Sequence, residues 1–485
     1  MLNTQMPTPG ASTWGTRTNH DHKIAPRKNK PAEPSIPRID EIKRECRKWL
    51  DIVSGAVLDE REHRQLIEET LQNHVHFVNK EWGNARKSVS AAGEYACAEW
   101  MGQASKFWDS LGREYIDCLG GYGLYNAGIR HPKIVKAVAA QLHRNPLSSQ
   151  ELLDPLRGAL SKILAEITPG KLQYSFLINN GTDAVEGAMK LARAYTGRHG
   201  FISSLGAFHG KSLGSLSLMG KLRYRQAFEP LLPDVTFVEF GDAEELQFEL
   251  EKAGKIGWPI AAVVLEPVQG EAGAIVPPDD YWPKVREICT RHGVLLVADE
   301  VQTGLGRTGK TFAVEHWNVE PDIMCLGKAL GGGVMPLAAF ISTPQIWSMF
   351  EEDPQVHSST TGGNPLACAA GIAAIMVTLE EDLPGQAARK GAYMLAEMEK
   401  LKDRYGEIIA EARGKGLLLG MQFKSAALGW QVVSRLFRKG VLVAGTMSNS
   451  ETVRFEPALN IPEVLIDEIL NRLEDTLREV RDGRN

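Results

Sequence analysis

The sequence contains no apolar run long enough to cross a membrane, and its first residues form no hydrophobic signal core. Its 6 cysteines are scattered and form no C-x-x-C pair, which favours reduced, structural thiols in a cytoplasmic protein without a metal site. A net charge of -5 and a pI near 6.2 give no electrostatic reason to expect nucleic acid or an acidic membrane as a partner. No internal period is found, which argues against a repeat protein.

The sequence does have enough apolar residues for a large core. With 485 residues, 43% hydrophobic and 24% charged, it should fold into two or three domains. Residues 1–38 are rich in Pro, Thr, Asn and basic residues and are predicted to form a disordered extension; a docking arm is the alternative, but no motif supports it. Residues 39–130 are predicted to begin with two helices and to include a β-hairpin at residues 104–117.

Between about residues 135 and 345 helical and strand patterns alternate, which predicts an α/β fold with a largely parallel sheet covered by helices. Ligands of such sheets bind at the carboxyl ends of the strands, so the residues just past each strand are the candidate site residues. The expected strands cover residues 174–178, 201–204, 235–240, 260–265, 294–298, 323–326 and 338–341.

Lys328 stands between an apolar strand at residues 322–326 and a glycine run at residues 331–333. The glycines allow a tight turn, and the lysine is expected to point into the interior rather than into water. A desolvated lysine has a lowered pKa, so more of it is the neutral amine that condenses with an aldehyde to give a Schiff base. The alternative is a surface lysine beside a flexible turn.

Groups suited to an aromatic, phosphorylated ligand follow two other predicted strands. Gly181 and Thr182 open a helix, where backbone N–H groups, a hydroxyl and the positive end of the helix dipole suit a phosphate. An ordinary helix cap explains the same two residues. Phe208 could stack on an aromatic ring, and His209 beside it is by default a structural histidine.

Asp299 follows the apolar strand at residues 294–298, and an aspartate at the end of a buried strand is costly unless it has a cationic partner. A protonated pyridine nitrogen would be such a partner. Gln302 could then donate a hydrogen bond to a phenolic oxygen on the same ring. Together with Lys328 and the phosphate-ready helix start, this arrangement fits pyridoxal 5'-phosphate.

Six motifs in this order resemble the class III (ω-amino acid) aminotransferases, which belong to the fold-type I pyridoxal-phosphate enzymes. The motifs occupy residues 180–182, 206–210, 266–273, 299–309, 326–336 and 360–365. The resemblance implies a large domain over residues 131–379 with a mostly parallel seven-stranded sheet. It also implies a smaller α+β domain over residues 380–485, which packs with the segment 95–130. Within the class, residues 115–121, 149–156, 206–214 and 442–446 resemble putrescine (diamine) aminotransferases.

The resemblance implies a role for each candidate cofactor residue. Lys328 would hold pyridoxal 5'-phosphate covalently, Asp299 would pair with its ring nitrogen, and Gln302 would contact its ring hydroxyl. Thr360 would reach the phosphate of the neighbouring subunit's cofactor, which implies a homodimer or a higher homo-oligomer. The remaining expected cofactor contacts are Gly181 and Thr182 at the phosphate, Phe208 on the ring, and His209.

The expected substrate contacts are Glu266, Glu271 and Arg454. The two glutamates lie on the loop after the strand at residues 260–265, where solvated loop acids would look the same. By resemblance, Arg454 binds the α-carboxylate of glutamate or 2-oxoglutarate, and Glu271 is its switchable partner. Such a gate would let one pocket accept an amine without a nearby carboxylate and then a dicarboxylic acid.

The expected reaction moves the terminal amino group of a diamine, putrescine or cadaverine, to 2-oxoglutarate. Its products would be an aminoaldehyde, which cyclises to 1-pyrroline, and glutamate. The alternatives are an aminotransferase for acetylornithine, ornithine, 4-aminobutyrate or another ω-amino acid, a pyridoxal-phosphate mutase or decarboxylase, and a non-catalytic relative. Thr361 and Ile129 stand where relatives often have an aromatic residue and a histidine, and both departures are expected to bear on the pocket or its edge.

Overall fold

The computed structural model describes residues 36–55, 58–79 and 97–483. Residues 1–35 of the predicted extension therefore lie outside the described residues, and the rest of it belongs to a helix. The chain divides into two compact units, Met1–His63 and Arg64–Asn485. The two predicted N-terminal helices are α1 (Ile36–Val53) and α2 (Glu60–Asn73). No helix in the described ranges is long and apolar enough to cross a membrane.

The strands of the second unit form three sheets. In chain order they are β1 Glu99–Gln103, β2 Lys106–Asp109, β3 Glu114–Asp117, β4 Tyr174–Ile178, β5 Gly200–Ser204, β6 Val235–Val238, β7 Ile260–Leu265, β8 Leu295–Asp299, β9 Ile323–Leu326, β10 Ala338–Ser342, β11 Ile409–Lys415, β12 Leu418–Phe423, β13 Val441–Leu442, β14 Ala444–Gly445 and β15 Thr452–Phe455.

Further α-helices connect these strands. They are α3 Pro132–Arg144, α4 Pro155–Ile167, α5 Gly181–Thr196, α6 Leu213–Ser217, α7 Leu222–Arg225, α8 Ala243–Ile256, α9 Tyr281–His292, α10 Pro344–Glu351, α11 Pro365–Glu380, α12 Leu383–Arg404, α13 Ala426–Arg438 and α14 Glu463–Arg481.

The central sheet has seven strands in the order β4-β10-β9-β8-β7-β5-β6. The pairs from β9 to β6 are all parallel, whereas β10 runs antiparallel to both β9 and β4. The predicted fold class, with its mostly parallel seven-stranded sheet, is therefore confirmed. The seven predicted strands are all present, with ends that differ by no more than two residues. Asp299 was expected just past its strand but is the last residue of β8.

Both faces of this sheet are buried, which explains why its strands are continuous apolar runs rather than alternating ones. Val264 and Val297 pack on one face with Val185 of α5. Their neighbours Val263 and Leu296 point to the other face, toward α9 and its Val285. This two-sided burial holds the sheet rigid, so the residues at its carboxyl edge have a fixed support.

The two smaller sheets each have four strands, in the orders β1-β2-β3-β13 and β11-β12-β15-β14. The predicted hairpin at residues 104–117 is the β2–β3 pair, and β1 adds a strand that the sequence did not reveal. In the same sheet β13 lies parallel to β3, with Val441 opposite Ile116. The C-terminal part thus shares a sheet with the segment before the central domain, while the domain limits at residues 130 and 379 stay predictions.

Candidate active site

Lys328 directly follows Gly327 at the end of β9 and has a left-handed backbone, with φ of 46°. A non-glycine residue in this region is strained, and such strain occurs where the surroundings hold a side chain in place for function. A side chain at Gly333 would meet the Tyr125 ring at 2.5 Å, so the glycine run lets the turn close against its neighbours. Burial lowers the pKa of Lys328, although the carboxylates of Glu456 and Glu271 oppose that shift.

A pocket of ≈ 390 Å³ opens beside Lys328. Its wall includes Asn179 and Gly181 at the start of α5, together with Met335 beyond the glycine run. This volume is typical of small-molecule sites. The pocket therefore combines a partly buried primary amine with the positive end of a helix.

Asp299, at the end of β8, forms a buried pair with His209. His209 Nδ1 lies 2.7 Å from Asp299 Oδ2, and Asp299 Oδ1 accepts a hydrogen bond from the backbone of Val301 at 3.1 Å. Burial alone would lower the pKa of His209, but the hydrogen bond and the charge of Asp299 outweigh it and raise that pKa. His209 thus orients Asp299, and its expected contact with the cofactor stays a prediction.

The start of α5 is organised by side-chain hydrogen bonds. Asn180 is the N-cap and accepts from the backbone of Asp183 at 3.0 Å, so Gly181 and Thr182 are the first two residues of the helix. Thr182 Oγ1 lies 2.6 Å from the hydroxyl of Ser215 and 3.2 Å from that of Ser212. Three hydroxyl groups thus meet at the positive end of a helix, an arrangement that suits a phosphate.

Glu266 is buried and uses both carboxylate oxygens within the chain. It accepts a hydrogen bond from the backbone of Phe208 at 3.0 Å and another from Gly270 at 3.0 Å. Burial raises the pKa of Glu266 to about 7, with a further contribution from the nearby Asp299. Glu266 therefore ties the loop of Phe208 to the loop after β7, and its expected contact with substrate stays a prediction.

Arg454 and Glu271 form a buried ion pair. Arg454 Nη1 donates to Glu271 Oε1 at 2.8 Å, and the other oxygen of Glu271 accepts from the backbone of Met447 at 3.0 Å. Burial opposes ionisation of Glu271, but the Arg454 guanidinium outweighs it and lowers the pKa of this carboxyl. Arg454 Nη2 is buried and has no hydrogen-bond partner among the described residues, so the guanidinium keeps donor capacity for another oxygen.

Glu456 is a site residue that the sequence reasoning missed. It follows β15, is fully buried, and accepts hydrogen bonds from Gln302 Nε2 at 3.2 and 3.1 Å. Its carboxylate also lies 3.2 Å from Arg454 Nε and 3.7 Å from Arg307 Nε. The signal was present in the sequence, because two opposite charges at residues 454 and 456 flank an apolar residue in a strand and need buried partners.

A glycine-rich loop at residues 120–123 closes over these side chains. A methyl group on Gly123 would lie 2.9 Å from Glu456 Oε1 and 3.4 Å from Lys328 Cδ, so only glycine lets the loop lie this close. Asp117 holds the loop by accepting from the backbone of Gly120 at 2.9 Å. The ring of Tyr122 lies under Arg454, with the guanidinium carbon 5.2 Å from the ring centroid.

Thr360 is exposed, and its carbonyl accepts a hydrogen bond from Gln150 at 3.0 Å. The neighbouring Thr361 accepts from Asn179 at 3.0 Å, so this departure lies at the edge of the pocket, as expected. Ile129 is different. It is buried in a cluster with Phe107, and it belongs to the packing of the small sheet rather than to the pocket.

Residues 91–477 match the sequence model of the class III aminotransferases. The chain belongs to this family. Its cofactor is pyridoxal 5'-phosphate. The residues fit that group: Lys328 supplies an amine for its aldehyde, the start of α5 supplies three hydroxyls for its phosphate, and Asp299 supplies a carboxylate for a ring cation.

Solved structures of other aminotransferases are similar along nearly their whole length. The ornithine aminotransferase of Toxoplasma gondii is 29% identical with a TM-score of 0.76, and the match covers 86% of this chain and 98% of that one. An amine transaminase from an uncultivated Pseudomonas species is 30% identical, TM-score 0.75, covering 81% and 97%. An (S)-enantioselective ω-transaminase from Thermomicrobium roseum is 28% identical, TM-score 0.78, covering 86% and 98%.

Proposed function

We propose that this aminotransferase moves the terminal amino group of a diamine, putrescine or cadaverine, to 2-oxoglutarate. The observation that supports exchange between a cationic amine and 2-oxoglutarate is the closed pair of Glu271 and Arg454, at 2.8 Å. The choice of a diamine rests on residues 115–121, 149–156, 206–214 and 442–446, which resemble diamine aminotransferases. A diamine brings a second ammonium group, which a bare buried arginine would repel. With Glu271 in place the arginine is neutralised, so a cationic donor can enter.

The same pair serves the acceptor. The carboxylate of Glu271 occupies a position where Arg454 and the backbone N–H of Met447 each donate to one oxygen. If Glu271 swings away, a substrate carboxylate can take both donors, and the free Nη2 of Arg454 adds a third. The site thus already contains the donors that a 2-oxo acid needs.

The bound cofactor would supply an aldehyde for amine exchange and a ring that withdraws electrons. Lys328 would hold it, and its lowered pKa leaves a larger share of neutral amine for moving a proton. Asp299, oriented by His209, would hold the ring cation, and the start of α5 would hold the phosphate. Gln302 would present its amide to the ring hydroxyl while Glu456 fixes its position.

A second candidate is transfer from ornithine or another ω-amino acid. The similarity to ornithine aminotransferases favours it, and the Glu271–Arg454 pair serves it equally well. The two candidates differ in whether the donor carries a carboxylate. The sequence segments that resemble diamine aminotransferases favour a donor without one.

A donor panel tests the proposal. The holoenzyme is given putrescine, cadaverine, ornithine, N-acetylornithine or 4-aminobutyrate, with 2-oxoglutarate or pyruvate as acceptor, and amino acid and cyclised products are identified by mass spectrometry. The proposal predicts the highest kcat/KM for a diamine and glutamate as the amino acid formed. A higher kcat/KM for ornithine would establish the second candidate, and carbon dioxide release without amino acid formation would indicate a decarboxylase.

We also propose that the enzyme acts as a homodimer. Thr360 is exposed in the single chain, and Leu152 and Leu153, near its contact Gln150 in sequence, are 80% and 101% exposed. Exposed apolar side chains beside a candidate site residue are typical of an interface. Light scattering of the wild type and of Leu153→Asp tests this: the variant should dissociate and lose activity, and a monomeric active wild type would contradict it.

A further inference from the structure

Glu456 lies between two buried arginines of the site. Its carboxylate lies near two buried guanidinium groups, Arg454 at 3.2 Å and Arg307 at 3.7 Å. Both carboxylate oxygens of Glu456 accept hydrogen bonds from the amide of Gln302. Its backbone N–H donates to the carbonyl of Cys118 at 2.8 Å, which fixes its main chain. Glu456 is therefore held in place, unlike a carboxylate on a loop.

Arg307 is fixed as well. Its Nη1 donates to the carbonyls of Leu417 at 2.9 Å and Pro457 at 2.6 Å, and its Nη2 donates to Asn126 at 2.7 Å. None of these acceptors carries a charge. The charge of Arg307 is consequently balanced by Glu456, since the side chains of both residues have no exposed surface.

The four buried groups Arg307, Arg454, Glu271 and Glu456 carry two positive and two negative charges. Removing the charge of Glu456 leaves a net charge of one positive unit. Water cannot screen this charge, because all four groups are buried. The excess would oppose a substrate that brings a second ammonium group and would favour one that brings a carboxylate.

This charge lies close to the reacting amine. A methyl group on Gly123 would touch both Glu456 Oε1, at 2.9 Å, and Lys328 Cδ, at 3.4 Å, so the two side chains lie on the same side of that loop. The charged groups that act on Lys328 are Glu456, Glu271, Arg454 and Asp299. Among the three carboxylates, Glu456 acts most strongly to raise the pKa of Lys328.

We propose that Glu456 is a positioning and specificity-determining residue. As the fixed counter-ion of Arg454 and Arg307, it keeps the site neutral for donors with a second ammonium group. It also fixes the amide of Gln302, which would contact the cofactor. Glu271 is the exchangeable counter-ion, which a substrate carboxylate replaces. Glu456 is the permanent one, which stays when the gate opens. This inference rests on the proposed function only in the choice of a diamine as donor.

The test compares Glu456→Gln, which removes the charge with little change of shape, with Glu456→Asp, which keeps the charge. Single-turnover absorbance measures the holoenzyme with putrescine and with 4-aminobutyrate, and the aminated enzyme with 2-oxoglutarate. In Glu456→Gln the rate with putrescine should fall roughly tenfold or more relative to 4-aminobutyrate, the size expected for one unit charge within about 10 Å at an effective dielectric of about 20. The reaction with 2-oxoglutarate should not slow, and Glu456→Asp should keep the wild-type preference.

An equal loss with all three substrates would show a purely structural role and overturn the proposal. A second readout does not depend on turnover: the pH titration of the visible absorbance of the holoenzyme should shift to lower pH in Glu456→Gln and stay close to the wild type in Glu456→Asp. An unshifted titration would also overturn the proposal. If the wild type does not use putrescine, the proposed function fails, but the titration still decides the role of Glu456.

Removal of a buried counter-ion can prevent folding, so a variant of opposite sign is included. Arg454→Gln removes one positive charge while Glu456 stays in place. The absorbance titration should shift to higher pH. A shift to lower pH, or no shift, would contradict the proposed charge balance.

Discussion

His209 Nδ1 lies 2.7 Å from Asp299 Oδ2, and neither side chain is accessible enough to exchange this partner for water. The histidine therefore orients a carboxylate that is expected to pair with the ring nitrogen of pyridoxal phosphate. Variants of the two residues therefore distinguish the activity that depends on the charge of Asp299 from the activity that depends on its orientation.

Asp299→Asn should lower kcat by orders of magnitude, because an amide cannot keep the ring nitrogen protonated. His209→Asn should cost less, since the carboxylate remains and an amide N–H can replace the imidazole donor. Steady-state kinetics of both variants, at saturating cofactor, measure the difference. Near-normal kinetics of Asp299→Asn with unchanged cofactor affinity would refute the assignment.

Lys328→Ala should abolish turnover and the visible absorbance of the covalently bound cofactor while leaving the fold intact. The structural reason is that Lys328 is the primary amine lining the pocket beside the start of α5. Absorbance spectra report the cofactor, and far-ultraviolet circular dichroism reports the fold. Full activity in this variant would remove the basis of the whole site assignment.

Arg454→Lys keeps the charge but loses the planar fork that contacts Glu271 and lies beside Glu456. The acceptor half-reaction should weaken by about 1–3 kcal/mol, the range for losing a charged hydrogen bond. The amine half-reaction should change less. Single-turnover absorbance follows each half separately, and an equal slowing of both, or of the amine half alone, would show that Arg454 is not the carboxylate gate.

Gly123→Ala should disturb the site beyond the cost of its backbone, whose φ is 93°. The added methyl would press on Glu456 and Lys328. Gly112→Ala is a matched control, because Gly112 has φ of 77° and open space around its Cα. Both variants should lower the thermal midpoint, but only Gly123→Ala should lower kcat by more than about tenfold, the effect of misplaced reacting groups. Equal kcat values for the two variants would mean that the loop at residues 120–123 moves to accommodate the methyl group without disturbing the site.

Glu266 makes stability depend on pH in a defined direction. Its pKa in the folded protein, about 7, lies above that of an unfolded glutamate, so its protonation favours the fold. This contribution is complete at acidic pH and is lost as pH rises from about 4.5 through 7. The thermal midpoint of the wild type should therefore fall relative to that of Glu266→Gln between pH 5 and 8. Glu352→Gln, at an exposed position, is the control, and a constant difference would contradict the raised pKa.

The sequence predicted the central sheet well because strands buried on both faces leave long apolar runs. It predicted the residues at the sheet edge, such as Lys328 and Asp299, because polar groups that end such runs are conspicuous. It did not predict β11 or the role of Glu456. β11 is a partly exposed edge strand with few apolar residues, although its partner β12 follows it directly in the chain. The partners of Glu456 come from distant parts of the chain, because Glu456 meets Gln302 and the loop of Gly123 only after folding. Ile129 was expected at the pocket or its edge, because the sequence alone did not reveal that it packs against Phe107.

The parallel pairing of β13 with β3 has a consequence for how the protein is made. The backbone N–H groups of Ile116 and Cys118 donate to the carbonyls of Gly440 and Leu442. This edge of β3 can therefore be paired only after the ribosome has made a segment near the end of the chain. Until then β3 has an unpaired edge, a template for contacts with other chains. Contacts between such distant segments also slow folding. During synthesis, the segment that closes over the active site is therefore among the last to gain its native partners.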